Sequence, residues 1–453
     1  MLVAAIAIVI TRPQWRVPAV VFGLLAIPGN VDDLLPQMTL DPHDLADVSA
    51  PVVSSADLLL LLAVVLTIRE GRRPDVIGRR LTALALVLMV LAWATSLVAA
   101  ASGVEPAAVA RGMILFARIP ALFYLATSLR TELGDGSQVA MAVVAGGLSV
   151  LGNGLYTTIG GDLDRFTART FGRNGLAILL VFIIVVATGL VYARWSAAGK
   201  PGWGRLIAPV SAIIAGGSLF GASASGTRMG FLVLLVVGAI GAVINPVGLT
   251  RQAIKGMVLT FVAATVILGA SVVLTTAGGR TVSVITDPDT TVDVVTNPGS
   301  VPTETEIRSR GQFWDLALQM ARSNPLTGVG PFQWNIRRYE LDPNGPVAVA
   351  DAHNSYLQVA AEYGLVVLAV YLALLVLSLG YVGWRLRHPA VRESLGWTGL
   401  GLSVACLVFP LADATNSHLF NIRNGAVEWL AIAVAVALAT AAGGTLKDTD
   451  PAS

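Results

Sequence analysis

Runs of about 20 apolar residues, repeated along most of the chain and separated by short polar turns, are the feature that most narrows what this sequence can fold into. A helix of that length matches the thickness of a bilayer core, and its backbone hydrogen bonds are satisfied internally. The 453 residues are 55% hydrophobic and only 13% charged, with a mean hydropathy of +0.73. The expected fold is therefore an all-α polytopic membrane protein. Spans are expected over 51–68, 81–103, 107–129, 138–160, 175–193, 206–222, 229–244, 257–278, 355–384, 396–414 and 425–443. Two shorter apolar runs, 1–10 and 17–27, bring the expectation to about a dozen membrane helices. The chain divides into N-terminal spans (1–278), one long polar segment (279–354), C-terminal spans (355–443) and a short tail (444–453).

Several function classes fall away on composition. The formal net charge is +2, and the basic residues are scattered between apolar runs, so no nucleic-acid surface is expected. The single cysteine, Cys406, lies in an apolar run and supports neither a disulfide framework nor a thiolate metal site. No metal-ligand spacing joins the four histidines, so neither metal nor other cofactor is expected. The opening MLVAAIAIVITRPQWR has no basic region before its apolar stretch and no small-residue cleavage site, and reads as part of the fold.

Short loops rich in Lys and Arg favour the cytoplasm. The stretch REGRRPDVIGRR, from Arg69 to Arg80, carries five arginines and is expected inside. Alternation from there places Gly279–Asn354 outside, and the tail inside. It also leaves outside an unusual set of arginines, including Arg165, Arg169, Arg173, Arg228, Arg308, Arg310, Arg337 and Arg338. A local anion is one explanation for that set. Within the long segment, Phe313, Trp314, Ala317, Leu318, Met320 and Ala321 recur at helical spacing before Pro325, predicting an amphipathic helix over 306–323.

Arg308 and Arg310 fall in the first turns of that helix, where the macrodipole disfavours cations unless an anion compensates. Two solvated loop arginines would give the same pattern. His353 lies in DAHNSYLQVAAEYG, where the long segment re-enters the membrane. With Asp351 or Asn354 as the cap of the next helix, the dipole there favours a neutral imidazole able to accept a proton. A histidine that only hydrogen-bonds at the interface is the other reading. Arg111 and Arg118, seven residues apart, share one face of a predicted span and must face a partner or a polar cavity. Glu362 is a candidate counter-charge; either a buried ion pair that fixes packing or a role on substrate fits. There is no GxxxxGK nucleotide loop and no carboxylate pair of the kind hydrolysis uses. A lipid-borne phosphate fits these arginines better than ATP does.

The stretch RSRGQFWDLALQMARSNPLTGVGPFQWNI, followed by AHNSYLQVAAEYGLVVLAVYLALL, resembles the signature of the O-antigen ligase and O-antigen polymerase superfamily. The resemblance rests on an arginine four residues before a tryptophan, then NPLTGVG, then His-Asn at a membrane entry. SASGTRMGFLVLL and RFTARTFGRNGLAILL are weaker echoes upstream. It implies a GT-C-like, metal- and ATP-independent, inverting glycosyltransferase of the bacterial plasma membrane, with its active site on the extracytoplasmic face. The donor would be a glycan on a polyprenyl diphosphate carrier, and the acceptor a hydroxyl of a glycan, lipid or protein. Carried over by motif, His353, Arg310 and Arg228 match the family's essential histidine and arginines. Arg308, Arg173, Arg169, Arg118 and Arg111 are further candidates for the diphosphate, with Asn354 and Glu362 in support. The chain departs from the pattern at Phe332, Val366 and Gly175, where the family often has glycine, glycine and asparagine. Ligase versus polymerase stays open. A transporter or flippase of lipid-linked oligosaccharide, or an envelope scaffold, would use the same arginines without chemistry.

Overall fold

The structure, a computed structural model, describes residues 2–26, 53–159, 172–196, 204–224, 228–243, 266, 304–342, 351–417, 419 and 422–447. Among these residues there is no strand. The helices are α1 (Leu2–Thr11), α2 (Arg16–Ala26), α3 (Ser55–Arg69), α4 (Val76–Ala101), α5 (Pro106–Ser128), α6 (Arg130–Leu133), α7 (Ser137–Ile159), α8 (Gly172–Ser196), α9 (Gly204–Ala224) and α10 (Arg228–Val243). They continue as α11 (Glu304–Ser323), α12 (Trp334–Leu341), α13 (Ser355–Tyr363), α14 (Leu365–Leu386), α15 (Pro389–Ala405), α16 (Val408–Asp413) and α17 (Ile422–Lys447). Local signals account for several starts. Ser54 and Asp57 form a capping box for α3, Asp75 accepts the first amides of α4, and prolines open α5 and α15.

Among the described residues, six helices are long and apolar enough to cross a membrane, with shorter apolar helices at Leu2–Thr11, Val210–Ala222 and Leu232–Gly241. The six are Val76–Ala101, Pro106–Ser128, Gly175–Ala193, Leu365–Leu386, Pro389–Asp413 and Asn424–Gly443. The span expected over 257–278 lies, but for Val266, outside the described residues. Two expectations are corrected. The run 355–384 is two helices, because Gly364 sits at φ +87 and breaks the run between Tyr363 and Leu365. The run 396–414 starts earlier, at Pro389, kinks at Gly396 and is interrupted again before Val408. Neither break is visible to a count of apolar residues.

Helix α17 is the centre of the bundle. It packs against α5, α14 and α15, and Trp429 on it meets Phe123 at 6.0 Å and Tyr371 at 5.3 Å between ring centres. By contrast, α4 and α14 leave Leu86, Val90, Leu97, Val376 and Leu377 exposed, the outward face expected of helices bordered by lipid. Small residues let backbones approach: a Cβ on Gly189 of α8 would lie 2.9 Å from the Trp397 carbonyl of α15.

Charges are handled inside the bundle. Asp57 binds the buried Arg118 with both oxygens, at 2.6 and 2.7 Å. At the other end of α3, Glu70 accepts from the fully buried Arg16 and from Arg72, and Arg72 also reaches Glu132. A second, small core of Phe313, Ala317, Met320, Trp334, Ala352 and Ala361 lies apart from the main one. It joins α11, α12 and the segment around α13. The loop between α11 and α12 rests on the end of α4 and start of α5, where a Cβ on Gly330 would be 3.0 Å from the side chains of Ala99 and Val104. That is the end of α4 opposite the arginine-rich stretch 69–80.

Candidate active site

The site is built on the small second core. Its floor is a clamp between the α11–α12 loop and the end of α13. Val329 and Gly330 donate to the carbonyls of Ala361 and Glu362 at 2.8 and 3.0 Å, and Leu365 donates to the Pro325 carbonyl at 2.7 Å. A Cβ on Gly328 would stand 2.2 Å from the Glu362 backbone, so only glycine fits there. The buried Glu362 side chain then accepts from the amides of Phe332 (2.8 Å) and Trp334 (3.3 Å) and from Gln358 Nε2 (3.2 Å). A carboxylate reaching from α13 thus satisfies donors at the N-terminus of α12, which its own N-cap residue Gln333 does not. This corrects the expected counter-charge. Arg118 is paired by Asp57, and Glu362 faces backbone amides.

Phe332 adopts φ +56 and His353 φ +49, the two non-glycine residues with left-handed backbone among the described residues. Such a conformation costs about 1–2 kcal/mol and persists where surrounding contacts over-determine it. Both residues are held by a carboxylate on the backbone amide: Glu362 for Phe332, and Asp351 for His353 at 2.7 Å. The Phe332 position, where the resemblance leads one to expect glycine, is one whose φ glycine adopts without cost. The Arg111 guanidinium stands 5.9 Å from the Phe332 ring centre, over its face.

His353 is fixed on several sides. Its Nδ1 lies 3.0 Å from Asp351 Oδ1, and its ring is 6.0 Å from that of Phe313, which in turn meets Trp334 edge-on at 6.4 Å. Asn354, not Asp351, is the N-cap of α13, its side chain accepting from Leu357 N at 3.0 Å. Asn354 also donates from its side chain to the Ala414 carbonyl (2.9 Å) and from its amide to Ser417 Oγ (3.1 Å). Ser355 Oγ binds Asp413 Oδ1 at 2.7 Å. The histidine segment is therefore tied to the chain that leaves α16. Burial raises the pKa of Asp351, but the His353 ring, its charge and amide, and Ser417 lower it by more, so that the carboxyl sits below its usual range.

Arg310 is partly buried on α11, one turn before Phe313, and so shares the helix edge that meets His353. The helix starts at Glu304, not 306. Arg308 lies on the same helix, and Arg228 is the first residue of α10, which packs against α15 and α16. Arg173 is the second residue of α8, and Arg169 lies outside the described residues. Arg111 joins the loop through Phe332, whereas Arg118 belongs to the Asp57 pair. Sequence reasoning passed over Asp351 as an imidazole partner, although the Asp-x-His spacing was its signal. It also gave no role to Arg338, fully buried one turn after Trp334, whose guanidinium burial pulls below its ordinary pKa against the charge of Asp342. Among the described residues, no three His, Cys, Asp or Glu side chains gather as a metal site.

Residues 213–372 match the family model described as O-Antigen ligase. Together with the apolar helices, this match supports a membrane glycan ligase or polymerase. The matched stretch runs from α9 into α14, so it contains Arg228, Arg308, Arg310, His353, Asn354 and Glu362. Arg111, Arg118, Arg169 and Arg173 precede it. No curated protein matches the chain.

Proposed function

We propose that the protein is an inverting membrane glycosyltransferase that moves a glycan from a polyprenyl diphosphate carrier to an acceptor hydroxyl on the extracytoplasmic face of a bacterial plasma membrane. The observation that carries the reading is His353 itself: a histidine in a strained backbone conformation, with Asp351 on one ring nitrogen and Phe313 beside it, inside the stretch that matches the O-antigen ligase family model. In the reaction, the acceptor O–H proton passes to His353 Nε2 as the oxygen attacks the anomeric carbon. The bond from that carbon to the phosphate oxygen breaks, and the diphosphate leaves with the electron pair. Arg310 and Arg228, with Arg308, Arg173, Arg169 and Arg111, supply guanidinium groups for the charge that gathers on the leaving group. Attack opposite the leaving group inverts the anomeric centre. The carrier diphosphate is already activated, so neither ATP nor a metal is needed.

The test uses the purified protein with the polyprenyl diphosphate-linked glycan accumulated by cells lacking it, plus the acceptor from the same cells, in chelator and without ATP. The wild type should form product, and His353→Ala should lower turnover about 10²–10⁴-fold. Equal turnover by the variant would remove the base. Movement of donor across a vesicle bilayer without transfer would favour a flippase instead. A reporter fused after Asn344 should be active outside the cytoplasm; an inside signal would reverse the sidedness.

A further inference from the structure

The carboxylate of Asp351 has no part in the proton transfer described above, yet its geometry is that of a partner to the imidazole. Its Oδ1 takes the His353 backbone amide at 2.7 Å and stands 3.0 Å from Nδ1 of the same residue's ring. A carboxylate can only accept, so the nitrogen facing it carries the proton, and the other nitrogen, Nε2, keeps its lone pair. Ser417, which accepts the Asn354 amide at 3.1 Å, also hydrogen-bonds the Asp351 carboxylate, giving it a partner besides the histidine. The left-handed φ of His353 brings amide and ring back onto one carboxylate two residues earlier. An Asx-turn alone would need only the amide contact.

We infer that Asp351 is the positioning residue for His353, holding its ring as the Nδ1–H tautomer with Nε2 open to the acceptor hydroxyl. The inference rests on the glycosyl-transfer reading. As Nε2 takes the acceptor proton, the ring becomes a cation, and the carboxylate beside Nδ1 stabilises it. The carboxylate itself gains no proton. Besides His353, Asp351 is bonded to Ser417, and the acidic group that feels its charge, Glu362, is engaged by the amides of Phe332 and Trp334 and so does not replace it at the ring.

Asp351→Asn separates this role from a turn-forming one, because an asparagine oxygen still accepts the His353 amide but supplies no negative charge. In the transfer assay above, Asp351→Asn should lower kcat roughly tenfold to a thousandfold while the donor KM stays within about twofold. Asp351→Glu should recover part of the loss, and Asp351→Asn added to His353→Ala should lower turnover no further. Wild-type kcat in Asp351→Asn, a loss confined to KM, or an additive loss in the double variant would overturn the inference. Nitrogen-15 spectra of histidine-labelled protein decide it independently of activity. The chain has four histidines, and His353→Ala assigns the signal. In the wild type Nδ1 should be protonated and Nε2 bare, and Asp351→Asn should shift the ring toward the Nε2–H form. A wild-type ring protonated on Nε2 would sink the dyad even with transfer intact. A wild type that transfers nothing, with the Nδ1–H form present, would sink the parent reading and leave the pairing standing.

Discussion

Phe332 and Glu362 show how single residues hold the loop. Phe332→Gly and Phe332→Ala both delete the ring over Arg111, but only glycine relieves φ +56. The glycine variant should therefore be the more stable of the two by about 1 kcal/mol, read as melting temperature in detergent. Glu362→Gln offers one acceptor oxygen where the loop presents donors to both, so it should destabilise by about 1–3 kcal/mol in the same measurement. Asp351 carries a pH dependence. Its folded pKa lies below its unfolded value, so its contribution to stability is fully present at neutral pH. That contribution is lost as pH falls below the ordinary carboxylate range through the lowered folded value. The difference in melting temperature between wild type and Asp351→Asn should be largest near neutrality and should shrink in acid. A difference that grows in acid would contradict the sign.

At the scale of elements, α13 carries most of the positional information. Its cap, Asn354, also bonds to the chain after α16, so Asn354→Ala should cost more than the roughly 1 kcal/mol of an ordinary cap and should lower turnover along with stability. The amphipathic pattern of α11 was legible because its buried face, Phe313, Ala317, Met320 and Ala321, follows one helical stripe. The position of His353 just before a helix was legible from Asn354 and the apolar run behind it. The end of α13 was not. A break at one glycine inside an apolar run leaves hydropathy unchanged, and it is set by the Pro325 carbonyl, which receives the Leu365 amide from across the fold. The role of Glu362 was hidden for a related reason. Its partners are backbone amides some 30 residues away, and backbone amides have no sequence signature.

For the whole molecule, the membrane class followed from composition, since no arrangement of this much apolar surface suits water. Pairing between helices did not follow, because many acid–base pairs are compatible with the same spans. Arg118 with Asp57 illustrates the point. Truncating Asp57 alone should destabilise the bundle by about 3–5 kcal/mol by leaving a buried cation, while replacing both residues by apolar ones of similar volume should restore much of the loss. A double variant no better than Asp57→Ala would show that the pair has a task beyond packing. The clamp between 325–332 and 361–365 has a consequence for engineering. Anyone grafting the catalytic loop of another enzyme onto this scaffold would have to transplant both strips as one cassette, since either half alone would arrive without the carbonyls and carboxylate that shape its counterpart.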